Sequence, residues 1–186
     1  MTTKPVVRIA TQADRDSMIT LLHLMHDENG VAPLDVPKMI SALDRGLARN
    51  GALIGVIGEP GHVVASIGLV LHQWWYSQDW HLEDCWNFVH PQHRRPGYAS
   101  AMLDFAKSTA DALEVQLLIG ILSSERTEAK EHMYIRKFGK PAGAAFVYPS
   151  IAKIVTRPVE PAAETPVLQS APEASTDGEN ASQVAA

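Results

Sequence analysis

The segment from Phe88 to Leu103 constrains the fold of this chain more than any other. It contains the end of an apolar run, a loop rich in hydrogen-bond donors and the start of an amphipathic pattern after Gly97. A strand, a short loop and a helix in this order direct unpaired backbone N–H groups and the positive end of the helix dipole at one point. Such a point suits a phosphate group. Arg94 and Arg95 add charge that does not titrate near neutral pH.

The residues on either side predict a β-α-β unit. Leu82–Val89 has the pattern of a strand, and apolar residues recur on one side of the helix that follows Gly97. Val115–Leu122 is apolar at all but two positions, so we expect a buried strand parallel to the preceding one. A right-handed crossover would join the two strands. Cys85 would lie buried in the first of them.

Upstream, the pattern predicts one strand, two helices and an antiparallel strand pair. Thr11 and Asp14 resemble a capping box at the start of the first helix, and Asp35 is a suitable N-cap for the second. Downstream, Ser123 or Ser124 would cap a further helix. The predicted strands are 6–10, 52–57 and 63–71 before the loop and 144–148 and 151–155 at the end, and the other helices are 11–26, 35–49 and 125–137.

Composition separates a tail from the rest of the chain. Residues 156–186 hold four prolines and no aromatic residue, which is typical of a segment that cannot offset its ordering entropy by burial. We therefore expect one domain at 1–155 and a disordered tail at 156–186. The tail has five acids and one base, which leaves the domain a net charge of −1 and disfavours nucleic acid as a partner. The single cysteine favours a reducing, cytoplasmic setting, and no apolar run has the length of a membrane span.

The six residues Arg94-Arg95-Pro96-Gly97-Tyr98-Ala99 resemble the acetyl-CoA pyrophosphate loop of the GCN5-related N-acetyltransferase (GNAT) family, Arg/Gln-x-x-Gly-x-Gly/Ala. The flanking segments 89–91 and 101–103 fit that family's strand-loop-helix pattern. The predicted order β-α-α-β-β-β-α-β-α-β also resembles its fold, an α/β (α+β) domain with a mixed central sheet flanked by helices. The loop and the Trp74-Trp75-Tyr76 segment are similar to those of compact acetyltransferases carried by phages and prophages.

The resemblance implies an N-acetyltransferase that moves an acetyl group from acetyl-CoA to a primary amine by direct attack, without a metal. It also implies two groups of cofactor-binding residues. Main-chain groups of Phe88, Val89 and Pro91 would contact the pantetheine, with the Val89 N–H polarising the thioester carbonyl. The phosphates would be held by Arg94, Arg95, Gly97, Tyr98 and Ala99. Pro96 lacks an N–H, so one donor common in this loop is absent.

The resemblance further implies an acid and a base. Residues 133–139 are similar to the family's Leu-Tyr-x-Arg-x-Gly-Phe pattern, with the last two residues inverted. Tyr134 would protonate the leaving thiolate; an alternative register places Ile135 there. The base would be Glu83 or Asp84, and adjacent strand residues point to opposite faces, so at most one faces the substrate. Of these two residues, Glu83 is the first candidate for the base.

Several alternatives stay open at this point. A GNAT-fold binding module that acts through protein or nucleic-acid partners is the main one, because Pro96 and the inverted pair depart from the family pattern. His90 and His93 have the spacing of a metal pair but lack further ligands. The aromatic cluster at 74–80 either walls an acceptor pocket or packs a hairpin. The acceptor is a small-molecule amine, a protein amine or a nucleobase amine, and the chain is a monomer or a homodimer.

Overall fold

The structure is a computed structural model that describes residues 5–123 and 127–146. In these residues, alternating apolar positions build a five-stranded sheet whose strands lie side by side in chain order. Strands β1 to β4 pair antiparallel, and β4 and β5 pair parallel. Four α-helices of the described residues flank the sheet, so the predicted fold class and the order of elements through the fourth helix are confirmed. The elements are β1 Arg8–Ile9, α1 Arg15–Asn29, α2 Val36–Leu47, β2 Ala52–Glu59, β3 His62–Gln73, β4 Trp80–Val89, α3 Tyr98–Leu113, β5 Gln116–Leu118 and α4 Thr127–Phe138.

Each face of the sheet carries its own core. Helices α1 and α2 cover one face through fully buried residues such as Met18 and Leu43, with Phe88 of β4 in the same cluster. Helix α3 covers the other face through Met102 and Ala106. These clusters allow each position of β4 to be assigned to one face. Among the described residues, no helix has both the length and the apolar character needed to cross a membrane.

The first helical segment begins at a buried ion pair. The capping box predicted at Thr11 is present, and the Thr11 N–H donates to Asp14 Oδ2 at 2.8 Å. Two nitrogens of Arg8 also donate to the Asp14 carboxylate, each at 2.8 Å, and the Gly61 N–H donates to it at 3.0 Å. The Arg8 guanidinium holds the pKa of this fully buried carboxyl well below its ordinary value. Asp14 therefore ties β1, α1 and the β2–β3 turn together.

Changing Asp14 to Asn is expected to lower the free energy of unfolding at pH 7 by about 3 kcal/mol, because the partly buried Arg8 guanidinium would lose its charged partner. The depressed pKa of Asp14 means that this stabilisation is complete above about pH 4 and declines as the pH falls further. Urea unfolding of both proteins between pH 7 and pH 2.5 measures it. Asp44→Asn is the matched control, since the Arg15–Asp44 pair is exposed and its loss should matter far less. Equal losses in the two variants would contradict the role of Asp14.

Three predictions differ from the structure or extend beyond it. The strand expected at Val115–Leu122 pairs only over Gln116–Leu118, and Leu118 is 43% exposed, so the expected burial is wrong. Cys85 is exposed, not buried. Residues 144–146 form no strand, while 147–155 and the expected tail at 156–186 lie outside the described residues.

Candidate active site

Strands β4 and β5 separate after a short paired segment. Their pairing runs from His81 opposite Gln116 to Glu83 opposite Leu118. Beyond it, the Gly120 N–H donates to the Asp84 side chain at 2.9 Å in place of a main-chain partner. In the part of the chain that the structure describes, β4 is paired only with β3 from Asp84 onward. The second half of β4 therefore has a free edge.

The hydrogen-bond pattern of β4 decides which main-chain groups reach this edge. The His90 N–H donates to the Val64 carbonyl at 2.9 Å. In an antiparallel pair, alternate residues bond to the partner strand and the residues between them point away. Asn87 and Val89 therefore direct their main-chain groups to the free edge. Phe88 directs its main-chain groups towards β3. This orientation disagrees with the expected contact between the Phe88 main chain and the pantetheine.

A β-bulge changes the face to which β4 residues point. Gly68 pairs with Trp86 and Leu69 pairs with Asp84, so Cys85 is an extra residue without a partner on β3. The register then places Asp84 opposite Leu69 and Asn87 opposite Ile67, on the face covered by α3. Strict alternation would have put Asp84 and Asn87 on opposite faces. The bulge therefore brings together two polar side chains that lie three positions apart.

A cavity of about 370 Å³ adjoins the free edge of β4. Its walls come from β4, the 94–96 loop, the first turn of α3, the end of α1 and one face of α4. Five of the residues predicted to bind the cofactor line it: Phe88, Val89, Arg94, Arg95 and Ala99. The other lining residues are Glu28, Asn87, Pro96, Ala129, Lys130 and Met133.

The loop before α3 presents donors and positive charge to this cavity. Gly97 is the residue before the helix and has a φ of 92°, a conformation that favours glycine. The first turn of α3 closes with a hydrogen bond from the Ala101 N–H to the Gly97 carbonyl at 2.8 Å. The amides that precede Ala101 in this turn have no partner within the helix. The Arg94 guanidinium forms an ion pair with Glu28 of α1 and lies 5.9 Å from the centre of the Phe88 ring.

Three of the predicted cofactor residues do not line the cavity. Pro91 begins an exposed helical turn between β4 and the loop. Gly97 shapes the backbone behind the lining residues. Tyr98 packs its side chain against the core beneath α3. Direct contact of Pro91, Gly97 and Tyr98 with the cofactor therefore stays a prediction.

Asp84 and Tyr134 form a titratable pair; neither side chain lines the cavity, but Tyr134 follows the lining residue Met133 on α4. Burial raises the pKa of Asp84 to about 6, the nearby Glu83 charge acts in the same direction, and the Gly120 N–H opposes it. Burial, with a smaller effect from the Asp84 charge, raises the pKa of Tyr134 to about 12. The neighbouring Asn87 side chain acts on the pKa of Tyr134 in the opposite direction.

Glu83 and Ile135, the alternatives for the base and the acid, lie elsewhere. Glu83 pairs with Val70, on the face of β4 opposite to that of Asp84. Its side chain is 45% exposed, and its carboxylate lies 3.8 Å from Nε2 of His81. Ile135 is 40% exposed, whereas Tyr134 is half-buried. Asp84 and Tyr134 are thus the pair that the fold brings together.

Asn87, Glu28 and Lys130 line the cavity but are absent from the sequence-based predictions. Asn87 carried no signal because only the bulge turns it towards Asp84. Glu28 lies far away in sequence and reaches the site through its ion pair with Arg94. Lys130 lies four residues before Tyr134 on α4, so helical periodicity places both on one face and could have identified it.

The aromatic cluster lies at the tip of the β3–β4 hairpin and contributes no residue to the cavity. Trp74 stacks on His81 with ring centres 4.1 Å apart, which supports the packing role, while Trp75 is 93% exposed. The rings of His90 and His93 meet at 5.2 Å. Within residues 5–123 and 127–146, no group of three or more His, Cys, Asp or Glu side chains is arranged to hold a metal ion.

Solved structures resemble this fold over most of its length. A predicted acetyltransferase from Clostridium acetobutylicum, solved with acetyl-CoA, superposes with a TM-score of 0.61 and 14% identity, covering 80% of this chain and 97% of its own. The ribosomal-protein-alanine N-acetyltransferase from Brucella melitensis superposes with a TM-score of 0.59 and 15% identity, covering 78% of this chain and 98% of its own. An aminoglycoside acetyltransferase from an uncultured soil metagenomic sample superposes with a TM-score of 0.58 and 15% identity, covering 79% of this chain and 99% of its own. At these identities the likeness establishes the fold alone.

Sequence comparison gives the family. No curated protein sequence matches the chain. The sequence profile of the acetyltransferase (GNAT) family matches residues 20–140, which include the Arg94–Ala99 loop, the free edge of β4 and helix α4. This match spans more than half of the chain, and the fold agrees with it. The chain therefore belongs to the GNAT acetyltransferase family.

Proposed function

We propose that this protein transfers an acetyl group from acetyl-CoA to a primary amine by direct attack of the amine on the thioester. The observation that carries the proposal is the cavity that joins a free strand edge to a basic loop at a helix N-terminus. The titratable pair Asp84 and Tyr134 adjoins lining residues of this cavity on β4 and α4. Each part matches one need of the reaction: holding the pantetheine, holding the phosphates and moving protons. We place this activity in residues 1–155.

The cofactor would lie along the free edge of β4 with its phosphates at the start of α3. Arg94 and Arg95 would bind the pyrophosphate together with the amides of the first turn, including Ala99. Because Asn87 and Val89 direct their main-chain groups to the free edge, they would pair with the pantetheine amides. A main-chain N–H at this edge would also polarise the thioester carbonyl.

The protons would move through Asp84 and Tyr134. The amine nitrogen attacks the thioester carbon, the C–S bond breaks, and the proton lost by the nitrogen passes to Asp84, directly or through water. A pKa of about 6 leaves Asp84 ionised at neutral pH and able to accept it. A pKa of about 12 keeps Tyr134 protonated, so that it can give its proton to the leaving thiolate. Glu83 is the alternative base, and its exposed position on the other face speaks against it.

Calorimetric titration of acetyl-CoA into the full chain tests the proposal, with CoA and ATP as comparisons. We expect saturable binding of acetyl-CoA and CoA and none of ATP, because the free strand edge offers main-chain partners to a pantetheine arm, which ATP lacks. Thiol release from acetyl-CoA would then be measured with a polyamine, an aminoglycoside and a peptide with N-terminal alanine. Absence of binding at millimolar acetyl-CoA would overturn the enzyme function.

A binding module is the second candidate, and the Arg94–Glu28 ion pair favours it. This pair places a carboxylate inside the cavity, at the guanidinium that the cofactor phosphates would need. Pro96 also removes one amide from the loop. If acetyl-CoA does not bind, this candidate becomes the working function, and the partner would be a protein or a nucleic acid.

A further inference from the structure

The ion pair between Glu28 and Arg94 lies on one face of the sheet, and the start of α3 lies on the other. The Arg94 guanidinium is over the Phe88 ring, which packs in the core beneath α1 and α2. Ala99 belongs to the helix that covers the opposite face, yet both Glu28 and Ala99 line the cavity. The cavity therefore extends around the free edge of β4 and receives groups from both faces.

A bound cofactor would compete with Glu28 for Arg94. Carboxylates and phosphates bind a guanidinium through the same donors, and the two anions would repel each other inside the cavity. The phosphates would also change the charge that the cavity presents. Its wall carries three basic side chains, Arg94, Arg95 and Lys130, against the single carboxylate of Glu28, so that a cation is repelled until the phosphates bind.

Glu28 lies where its carboxylate needs a cation. It is the next-to-last residue of α1, and a negative charge at this end opposes the helix dipole. Its side chain is 16% exposed, so water compensates the charge only in part. The end of the helix is fixed in place, because Asn29 Oδ1 accepts a hydrogen bond from the Ser123 hydroxyl at 2.7 Å. A carboxylate displaced from Arg94 would therefore stay in the cavity and attract another cation.

The acceptor is the cation that the proposed reaction brings to this cavity. Its attacking nitrogen must be neutral, because a protonated amine has no lone pair, and the base proposed for it, Asp84, is on the face covered by α3. Glu28 therefore suits a second amino group that keeps its proton. Resting on the proposed function, we propose that Glu28 determines specificity by binding a second ammonium group of the acceptor, once the cofactor phosphates have displaced it from Arg94.

Paired amines test this role in the full chain. Putrescine and hexamethylenediamine are compared with butylamine and hexylamine, the monoamines of the same lengths, by thiol release from acetyl-CoA at pH 8. We expect the wild type to use the diamines with a kcat/KM at least about 10-fold higher, as for a hydrogen bond between charged groups. Glu28→Gln should raise KM for the diamines about 10-fold with kcat unchanged within about twofold, because this interaction is the same in the ground and transition states.

The affinity for acetyl-CoA gives a second readout that does not depend on turnover. Calorimetric titration should give a Kd about three- to tenfold lower in Glu28→Gln, because the competitor for Arg94 is removed. Asp27→Asn is the matched control, since it removes an exposed carboxylate from the neighbouring position of α1, outside the cavity wall. It should change neither the Kd nor the preference for diamines. Glu28→Met replaces the glutamine variant if that one does not fold.

The possible failures are distinguishable. If the wild type does not bind acetyl-CoA, the proposed function fails and the inference fails with it. If the wild type binds acetyl-CoA but shows no preference for diamines, or uses neither class of amine, only the inference is overturned. It is also overturned if Glu28→Gln loses activity equally with diamines and monoamines, or binds acetyl-CoA no more tightly, because the ion pair would then only hold the loop against α1.

Discussion

Replacing Asp84 by Asn is expected to lower turnover about 100-fold or more at pH 8, with little change in the affinity for acetyl-CoA. The amide keeps the shape of the side chain but cannot accept the proton that the amine must lose, and general bases contribute factors of this size. Steady-state kinetics of thiol release, together with a calorimetric Kd for CoA, would separate the two effects.

Glu83→Gln is the matched control for Asp84→Asn, since it removes a carboxylate one residue away on the opposite face of the same strand. We expect it to change turnover by less than about threefold, as is usual for an exposed charge that does not enter the reaction. A large loss in Glu83→Gln with none in Asp84→Asn would transfer the role of base to Glu83.

The pKa of Asp84 also predicts two pH dependences. Turnover of the wild type should rise with pH through about 6, as the carboxylate ionises. Between about pH 4 and pH 6 the folded state holds a proton that the unfolded state has lost, so stability falls as pH rises through this range. Asp84→Asn avoids this cost and should be more stable than the wild type by about 2 kcal/mol at pH 8. Equal stability of Asp84→Asn and the wild type at pH 8 would mean that burial does not destabilise the charged form of Asp84.

Gly97→Glu should abolish saturable binding of acetyl-CoA at millimolar concentration. The φ of 92° strains any side chain at this position, so the start of α3 would shift. The new carboxylate would also stand at the helix N-terminus, where it would repel the pyrophosphate and compete for the same amides. Calorimetric titration of the variant measures the loss.

The matched control for this variant is Gly51→Glu, which introduces the same charge at another glycine of positive φ, 63°, with open space around it. It lies in the turn after α2, away from the cavity, and should bind acetyl-CoA normally. Retained binding in Gly97→Glu would show that the Arg94–Ala99 loop does not hold the phosphates.

Local patterns predicted most of the fold. The period of apolar residues gave the helices and strands, and caps such as Asp35, which accepts from the Lys38 N–H at 2.9 Å, fixed where helices begin. The Arg94–Ala99 loop could be identified as a candidate phosphate-binding loop because its residues are contiguous in sequence. Five of the residues expected in this loop and in the strand before it line the cavity.

The rest of the site depends on relations that no local pattern encodes. The partnership of Asp84 with Asn87 needs the bulge, and strict alternation assigns them to opposite faces. The ion pair between Arg94 and Glu28 joins residues 66 positions apart. The exposure of Cys85 and Leu118 follows from the bulge and from the early separation of β4 and β5, neither of which changes the apolar pattern.

The extra residue at Cys85 has a consequence for how such sites diverge. Adding or deleting one residue in β4 exchanges the inward and outward sets of side chains on one side of that point, without any change in residue type. The proposed proton-transfer geometry would thus depend on the number of residues in β4 as much as on their identity. An alignment of distant relatives that ignores single-residue gaps in this strand would equate acids that face opposite directions.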